Sequence, residues 1–223
     1  MSELNKEQIL KLLQNTAKAL EKNNMQTFIA DTKEEAAKLV SSLMEKGSTV
    51  TMGGSMTVKE CGIDKILTSG DYVFYDRAMA KTEEEKLEIY RKAFSCNTYL
   101  SGTNAITESG ELYNVDGNSN RVAAMLFGSD QLIVVAGYNK IVKDVNEAAL
   151  RVKEKAAPPN CERLGIDNYC RLNGKCVSLN KENPLYCEGC ASETRICCNY
   201  VTMGYQRNKN RVKVILIAEK AGY

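Results

Sequence analysis

The residues best suited to chemistry fall in three places along the 223-residue chain. Gly53-Gly54-Ser55, followed by Thr57, joins a short strand-like run, 48–52, to a helical stretch that starts near Met56. A glycine turn lets backbone N–H groups approach an anion, and a helix start adds partial positive charge. Ser55 supplies a further donor there, or serves only as the helix N-cap. The second place is polar: Thr103-Asn104, Thr107-Glu108, Asp116-Gly117-Asn118 and Asn120-Arg121 lie around Gly102, Gly110 and Gly117. Amides, carboxylates and one guanidinium at that density suit recognition of a hydroxylated or carboxylated small molecule. Asx residues beside glycine also serve ordinary turns.

The third place is a set of thiols: Cys161, Cys170, Cys176, Cys187, Cys190, Cys197 and Cys198, with one CxxC pair at Cys187-Glu-Gly-Cys190. Four thiolates in an irregular loop could hold a tetrahedral zinc or an iron–sulfur cluster. The uneven outer spacing also fits reduced structural or redox-exchanging thiols. Lys140 follows an apolar run at a strand end, where a parallel sheet places its cleft. It would pair there with a ligand carboxylate or phosphate, and its plainer reading is a solvated lysine at a strand exit. Cys61 and Cys96 read as buried reduced thiols.

The chain has no histidine, so imidazole-based catalysis and histidine-ligated metals are excluded. Lysine plus arginine number 30 against 28 aspartate plus glutamate, which leaves no basic field for nucleic acid. Residues 1–11 are polar and lack the apolar core of a signal peptide, and the longest apolar runs are too short to span a bilayer. A cytoplasmic protein with no membrane partner is the expectation, and nine cysteines without an export signal fit a reducing compartment.

The elements that must position these groups alternate. Residues 5–23 carry a helical apolar stripe opened by an Asn5/Gln8 capping pair, 25–30 read as a strand, and Thr32 to Glu35 open a helix to about residue 46. Strands at 48–52 and 72–75 follow, then a helix capped at Thr82, a strand at 111–115 and a helix at 120–127. Residues 132–136 are apolar throughout, as in a strand buried on both faces, and 144–155 are helical again. Pro158-Pro159 are expected to halt that helix and open an irregular cysteine-rich insert, about 157–200, before a last strand at 211–218 rejoins the sheet. A single α/β domain over 1–223 with a layered, mostly parallel sheet flanked by helices follows.

Residues 102–128, GTNAITESGELYNVDGNSNRVAAMLFG, resemble the signature block of the lactate-utilisation (LUD, DUF162) domain family. Residues 133–144, IVVAGYNKIVKD, and 156–160, AAPPN, continue the likeness in order, and Gly53-Gly54-Ser55 fits the family's earlier glycine turn. The resemblance implies a NagB/RpiA/CoA-transferase-like fold with a ligand cleft at the carboxyl ends of the strands. Within that cleft Gly53, Gly54, Ser55 and Thr57 would hold an anionic group, with Gly102, Thr103, Asn104, Asp116, Gly117, Asn118, Asn120, Arg121 and Lys140 around it. It also implies a part in oxidising lactate to pyruvate beside iron–sulfur partner proteins.

Glu108 sits where the CoA-transferase branch tends to place a nucleophilic glutamate, although the surrounding Thr-Glu-Ser-Gly is not that branch's motif. Cys170, Cys176, Cys190 and Cys197 resemble the recurring cysteines of family members and would be the metal ligands; residues 177–189 and the extra Cys187 and Cys198 depart from the pattern, and Cys187 could serve as a further ligand. The function expected is a LUD-domain protein of organic-acid utilisation that binds a small anionic metabolite and acts with redox partners. The alternatives are a stand-alone isomerase, acyl-transfer enzyme or ligase, and an accessory protein working through its thiols. A homo-oligomer is compatible with the sequence.

Overall fold

The computed structural model describes residues 4–223. Its centre is a six-stranded sheet in which every pairing is parallel, built from β1 (Gln26–Ala30), β2 (Thr49–Met52), β3 (Val73–Tyr75), β4 (Thr98–Gly102), β7 (Gln131–Gly137) and β10 (Val212–Ile217). The order across the sheet is β1-β10-β7-β4-β2-β3. Alternate residues of a strand face opposite sides, so a strand covered on both sides must be apolar at every position. β7 obeys this: Leu132, Val134 and Ala136 join the core under α1 (Lys6–Lys22), while Ile133 and Val135 join the core under α2 (Lys33–Ser42).

The first helix forms as its sequence dictates. The Asn5 side chain accepts from the Gln8 N–H at 2.9 Å and the Gln8 side chain returns the bond, which satisfies two donors of the opening turn. Leu13 and Leu20 are fully buried on its inner stripe, each worth about 1.5–3 kcal/mol of transfer free energy. Leu13→Ala is the single change that would open this layer. The second helix ends at Ser42, sooner than expected, because Leu43 to Lys46 turn the chain toward β2.

A second, four-stranded sheet was not visible in the sequence. It is ordered β8-β5-β6-β9, from β8 (Ile141–Val142), β5 (Ala105–Thr107), β6 (Leu112–Asp116) and β9 (Asn199–Met203). Its hairpin turn docks on α1 through Gly110, where a Cβ would stand 2.5 Å from the Ala19 carbonyl carbon. Asn23 Nδ2 donates to the Ser109 and Gly110 carbonyls at 3.3 and 2.9 Å, which locks the tip in place.

Pro158 and Pro159 do not halt the helix. α7 (Val145–Arg151) runs into a π-helical turn, Val152–Ala156, and then into α8 (Ala157–Leu164), whose first turn holds both prolines. A wide turn has no i→i−4 bond for a proline to break, and a first helical turn tolerates a residue without N–H. The front half of the insert is therefore helical, with α9 (Tyr169–Asn173) and a 3-10 turn, Val177–Asn180, after α8, and the rest is irregular up to β9.

Candidate functional site

Chain order reverses between β2 and β4. The segment leaving β2 passes through α3 (Met56–Glu60) and α4 (Ile63–Leu67) to β3 on one flank, whereas the segment leaving β4 passes through the second sheet to β7 on the other. The crevice outside the carboxyl ends of two such strands is where open parallel sheets bind ligands. The Gly53-Gly54-Ser55 turn leaves one of these strands and Gly102-Thr103-Asn104 leaves the other.

The two turns touch. Ser55 Oγ lies 2.6 Å from the point where Gly102 would carry a Cβ, and at Gly53 that point lies 3.0 Å from the Tyr99 hydroxyl and 3.1 Å from Arg121 Cδ. Glycine is needed at these positions because a neighbouring turn or side chain occupies the space. Ser55 also caps α3 by accepting from the Val58 N–H at 3.2 Å. That helix has only five residues, so side chains more than a helix terminus give the crevice its charge.

Arg121 reaches in from α6 (Asn120–Leu126). Its Nη1 donates to Asn114 Oδ1 at 2.6 Å and its Nη2 to Asn104 Oδ1 at 3.2 Å and the Val115 carbonyl at 2.9 Å, with Asp116 Oδ2 3.5 Å from Nε. Arg151, 8% exposed on α7, donates to the Asn104 carbonyl at 2.5 Å and the Asn139 carbonyl at 3.1 Å. Lys140 is 4% exposed and donates to Thr57 Oγ1 at 2.8 Å. This overturns the solvated reading: the residue after β7 turns inward under the start of α3. Arg77, in the turn after β3, extends over Gly54, where a Cβ would stand 2.6 Å from its Nη2.

Among the described residues, Asp116 is the one carboxylate within ion-pairing distance of Arg77, Arg121, Lys140 or Arg151. The imbalance shows in their acidities. Burial, together with Arg151 and Arg121, pushes Lys140 down to about 7, and burial brings Arg151 down to about 10. Burial also lowers Arg121, against the pull of Asp116. Tyr99 is held well above the usual phenol range by burial, partly offset by Arg121 and Arg77. Asn114 is fully buried with both its Oδ1 bonds spent on this network, yet its Nδ2 has no partner. An orphaned buried donor beside uncompensated cations is costly unless something anionic or polar joins them.

Not every expected residue takes part. Thr103 spends its hydroxyl on the Ala105 and Tyr113 carbonyls, and Thr57 passes its own proton to the Ala221 carbonyl at 3.1 Å. Gly117 packs on the Ile196 backbone. Asn118 and Asn120 flank Ser119, which is left-handed at φ 62°, and make no side-chain hydrogen bond among the described residues. Glu108 is exposed at the tip of the β5–β6 hairpin, the opposite end from Asn104 and Asn114. Arg77, Tyr99, Asn114 and Arg151 were missed. Asn114 and Arg151 were readable as polar residues on otherwise apolar buried faces; Arg77, in an exposed turn, left no signal.

The thiols gather beside this crevice. Cys161, Cys170 and Cys176 form a buried cluster with Ile166, Leu179 and Ile196 packed on it. A hydrogen bond from Cys170, with others from Ser178, pulls the Cys176 thiol down, and the same contact pushes Cys170 up. Arg195 gathers the loop that carries the remaining thiols by donating to the carbonyls of Cys187, Cys190 and Cys197 at 2.8, 3.2 and 2.7 Å. All nine cysteines are unpaired by disulfide. Among the described residues no three of His, Cys, Asp or Glu are grouped closely enough to hold a metal ion.

Two depressions, of about 620 and 780 Å³, open at the amino ends of the strands. The first is lined by residues such as Lys46, Asn97, Gln131 and Lys213, whose polar ends are taken up by Asp71, by Asp130, by the Leu43 carbonyl and by Gln131 respectively. Neither gathers buried cations, so the crevice at the carboxyl ends remains the candidate.

A parallel α/β protein with cations gathered at its switch point is the class that fold and side chains define. A family model described as the LUD domain matches residues 13–217, and the chain belongs to the LUD domain family. No curated protein matches it. Among solved structures, the chain is similar to a DUF162 family protein from Deinococcus radiodurans over 97% of this chain and 100% of that one, at 11% identity and a TM-score of 0.49. A ribose 5-phosphate isomerase from Plasmodium falciparum is similar over 86% and 96%, at 15% identity and a TM-score of 0.40. The beta subunit of eIF2B from Chaetomium thermophilum is similar over 52% and 44%, at 13% identity and a TM-score of 0.37. No helix among the described residues is long and apolar enough to cross a membrane.

Proposed function

We propose that this LUD-domain protein serves organic-acid, lactate-type utilisation in the cytoplasm by binding a small anionic metabolite in the Gly53–Ser55 and Gly102–Asn104 crevice and acting with redox partner proteins. One observation carries the reading: Lys140 and Arg151 are buried, Arg121 is largely covered beside them and Arg77 lies over Gly54, yet Asp116, against Arg121, is the one carboxylate within ion-pairing distance of any of them among the described residues. Buried charge without a counter-charge is strongly unfavourable, and a carboxylate or phosphate from solution supplies what is missing. The orphaned Asn114 Nδ2 adds a neutral donor to the same network.

Isothermal titration against lactate, pyruvate, CoA esters and sugar phosphates tests the reading. Binding of one of them, lost in Arg121→Met with the fold retained, is the expected result; no binding by any of them to folded protein removes its basis. A glutamate-nucleophile enzyme is the weaker reading, since Glu108 stands at the far end of the hairpin. A metal at Cys170, Cys176, Cys190 and Cys197 is a separate proposal, and it needs the Arg195-held loop to close further on the buried thiols. Elemental analysis with visible spectra of anaerobically purified protein decides among zinc, iron–sulfur and bare thiols.

A further inference from the structure

Lys140 is the one member of the cationic group whose charge can change near neutral pH, and its surroundings are arranged against the charge. Its Nζ has Thr57 Oγ1 as hydrogen-bond partner at 2.8 Å, and Thr57 has already committed its proton to Ala221. The tail closes over it: the point where Gly222 would carry a Cβ lies 3.2 Å from Nζ. An ammonium carries three donors, so two are left without a partner here. From α7 and α6 it faces Arg151 and Arg121, which oppose the proton, and from the end of α3 it faces Glu60 and Cys61, which favour it. Glu60 is already engaged, accepting from the Gly222 N–H at 2.9 Å and lying 3.7 Å from Lys33.

We propose that an anion entering the crevice is bound together with one proton, taken up by Lys140 Nζ from solvent, so that the site fills as a neutralised anion–ammonium pair. This rests on the anion-binding function given above. The empty site tolerates Lys140 best as a neutral amine, because a third buried positive charge beside Arg121 and Arg151 has no counter-ion. An incoming negative charge reverses that balance and draws a proton on. The sign follows from linkage: ligand binds the protonated form better, so affinity falls as pH rises above about 7, the free site's value, by up to about tenfold per pH unit. Below that range Lys140 is already charged and affinity levels off.

The test is calorimetry with pyruvate and with sulfate, neither of which titrates near neutral pH, at pH 8 in buffers of different ionisation enthalpy. The slope of observed heat against buffer heat counts protons taken up. The expected result is an uptake of more than half a proton, a roughly tenfold loss of affinity between pH 6.5 and 8.5, and loss of both effects in Lys140→Met. Lys140→Arg, which keeps its charge at every pH, should bind without uptake and without that pH dependence. Binding with no proton uptake in the native chain overturns this inference and leaves the anion site standing. Absence of any binding overturns both. The native chain alone decides the matter if the variants do not fold.

Discussion

An arginine organises each of the two regions that hold unusual side chains, and the two are used in opposite ways. In the crevice Arg121, its side chain 14% exposed, spends its fork mainly on side-chain oxygens, those of Asn104 and Asn114, with Asp116 beside Nε. In the cysteine-rich segment Arg195 is half-buried and spends its fork on main-chain carbonyls and the Tyr200 hydroxyl. The first arrangement fixes where charge stands, while the second fixes the course of a loop that has little apolar core of its own. They abut at Asp116, whose side chain faces Arg121 and whose carbonyl accepts from the Cys198 N–H at 3.1 Å.

Breaking the two arginines is the strongest trial of this contrast. Arg121→Met leaves the Asp116 carboxylate without its cation and takes one donor from each of two amide oxygens in a largely covered place, and should cost about 3–5 kcal/mol in urea unfolding. Arg195→Met gives up bonds to partly solvated carbonyls and should cost about 1–2 kcal/mol. Equal losses would erase the distinction.

The glycines sharpen it at a smaller scale. Gly53→Ala pushes on the locked Arg121 stem and the Tyr99 hydroxyl, and should destabilise by about 1–3 kcal/mol as an overpacked site. Gly54→Ala meets only the free end of Arg77, which can swing away, so stability should hold within about 0.5 kcal/mol while pyruvate binding in calorimetry weakens. Asn114→Asp places a second carboxylate beside Arg121. It should leave the fold intact and lower anion affinity by about tenfold, roughly 1.4 kcal/mol. Unchanged affinity would mean that the network's charge does not reach the ligand.

In the cysteine-rich segment the expected effects are kinetic. Cys187 and Cys198 are exposed and should be alkylated first by iodoacetamide, with Cys161, Cys170 and Cys176 last, as mapped by peptide mass. In Arg195→Met the reaction of Cys190 and Cys197 should quicken about threefold or more, because the loop that shelters them loses its anchor.

Sequence reading reached the parts of the fold that local pattern decides. The Asn5/Gln8 box, the apolar runs 132–136 in β7 and 214–217 in β10, and the glycine turns after β2 and β4 each carry their own signal within a few residues. The second sheet did not, because its strands run from two to five residues and β6 finds β9 far along the chain. Pro158-Pro159 misled for a local reason as well: a π turn ahead of them makes room that an α-helix would not. In the crevice, Ser55, Asn104, Asp116 and Arg121 were legible from their turns. Arg151 and Lys140 were misjudged or missed because burial of a cation is decided by what packs over it, and helical or strand spacing does not report that.

The placing of β10 has a consequence for how the chain comes together during synthesis. Among the described residues β1 borders no other strand than β10, with Gln26 to Ala30 set against Lys213 to Ile217. From the moment residue 30 leaves the ribosome until residue 217 does, that strand has no neighbour and its backbone edge stands open to any stray strand. Nearly the whole molecule must wait, partly assembled, for one late piece to slide between β1 and β7, which makes slow, chaperone-sensitive folding the expected outcome.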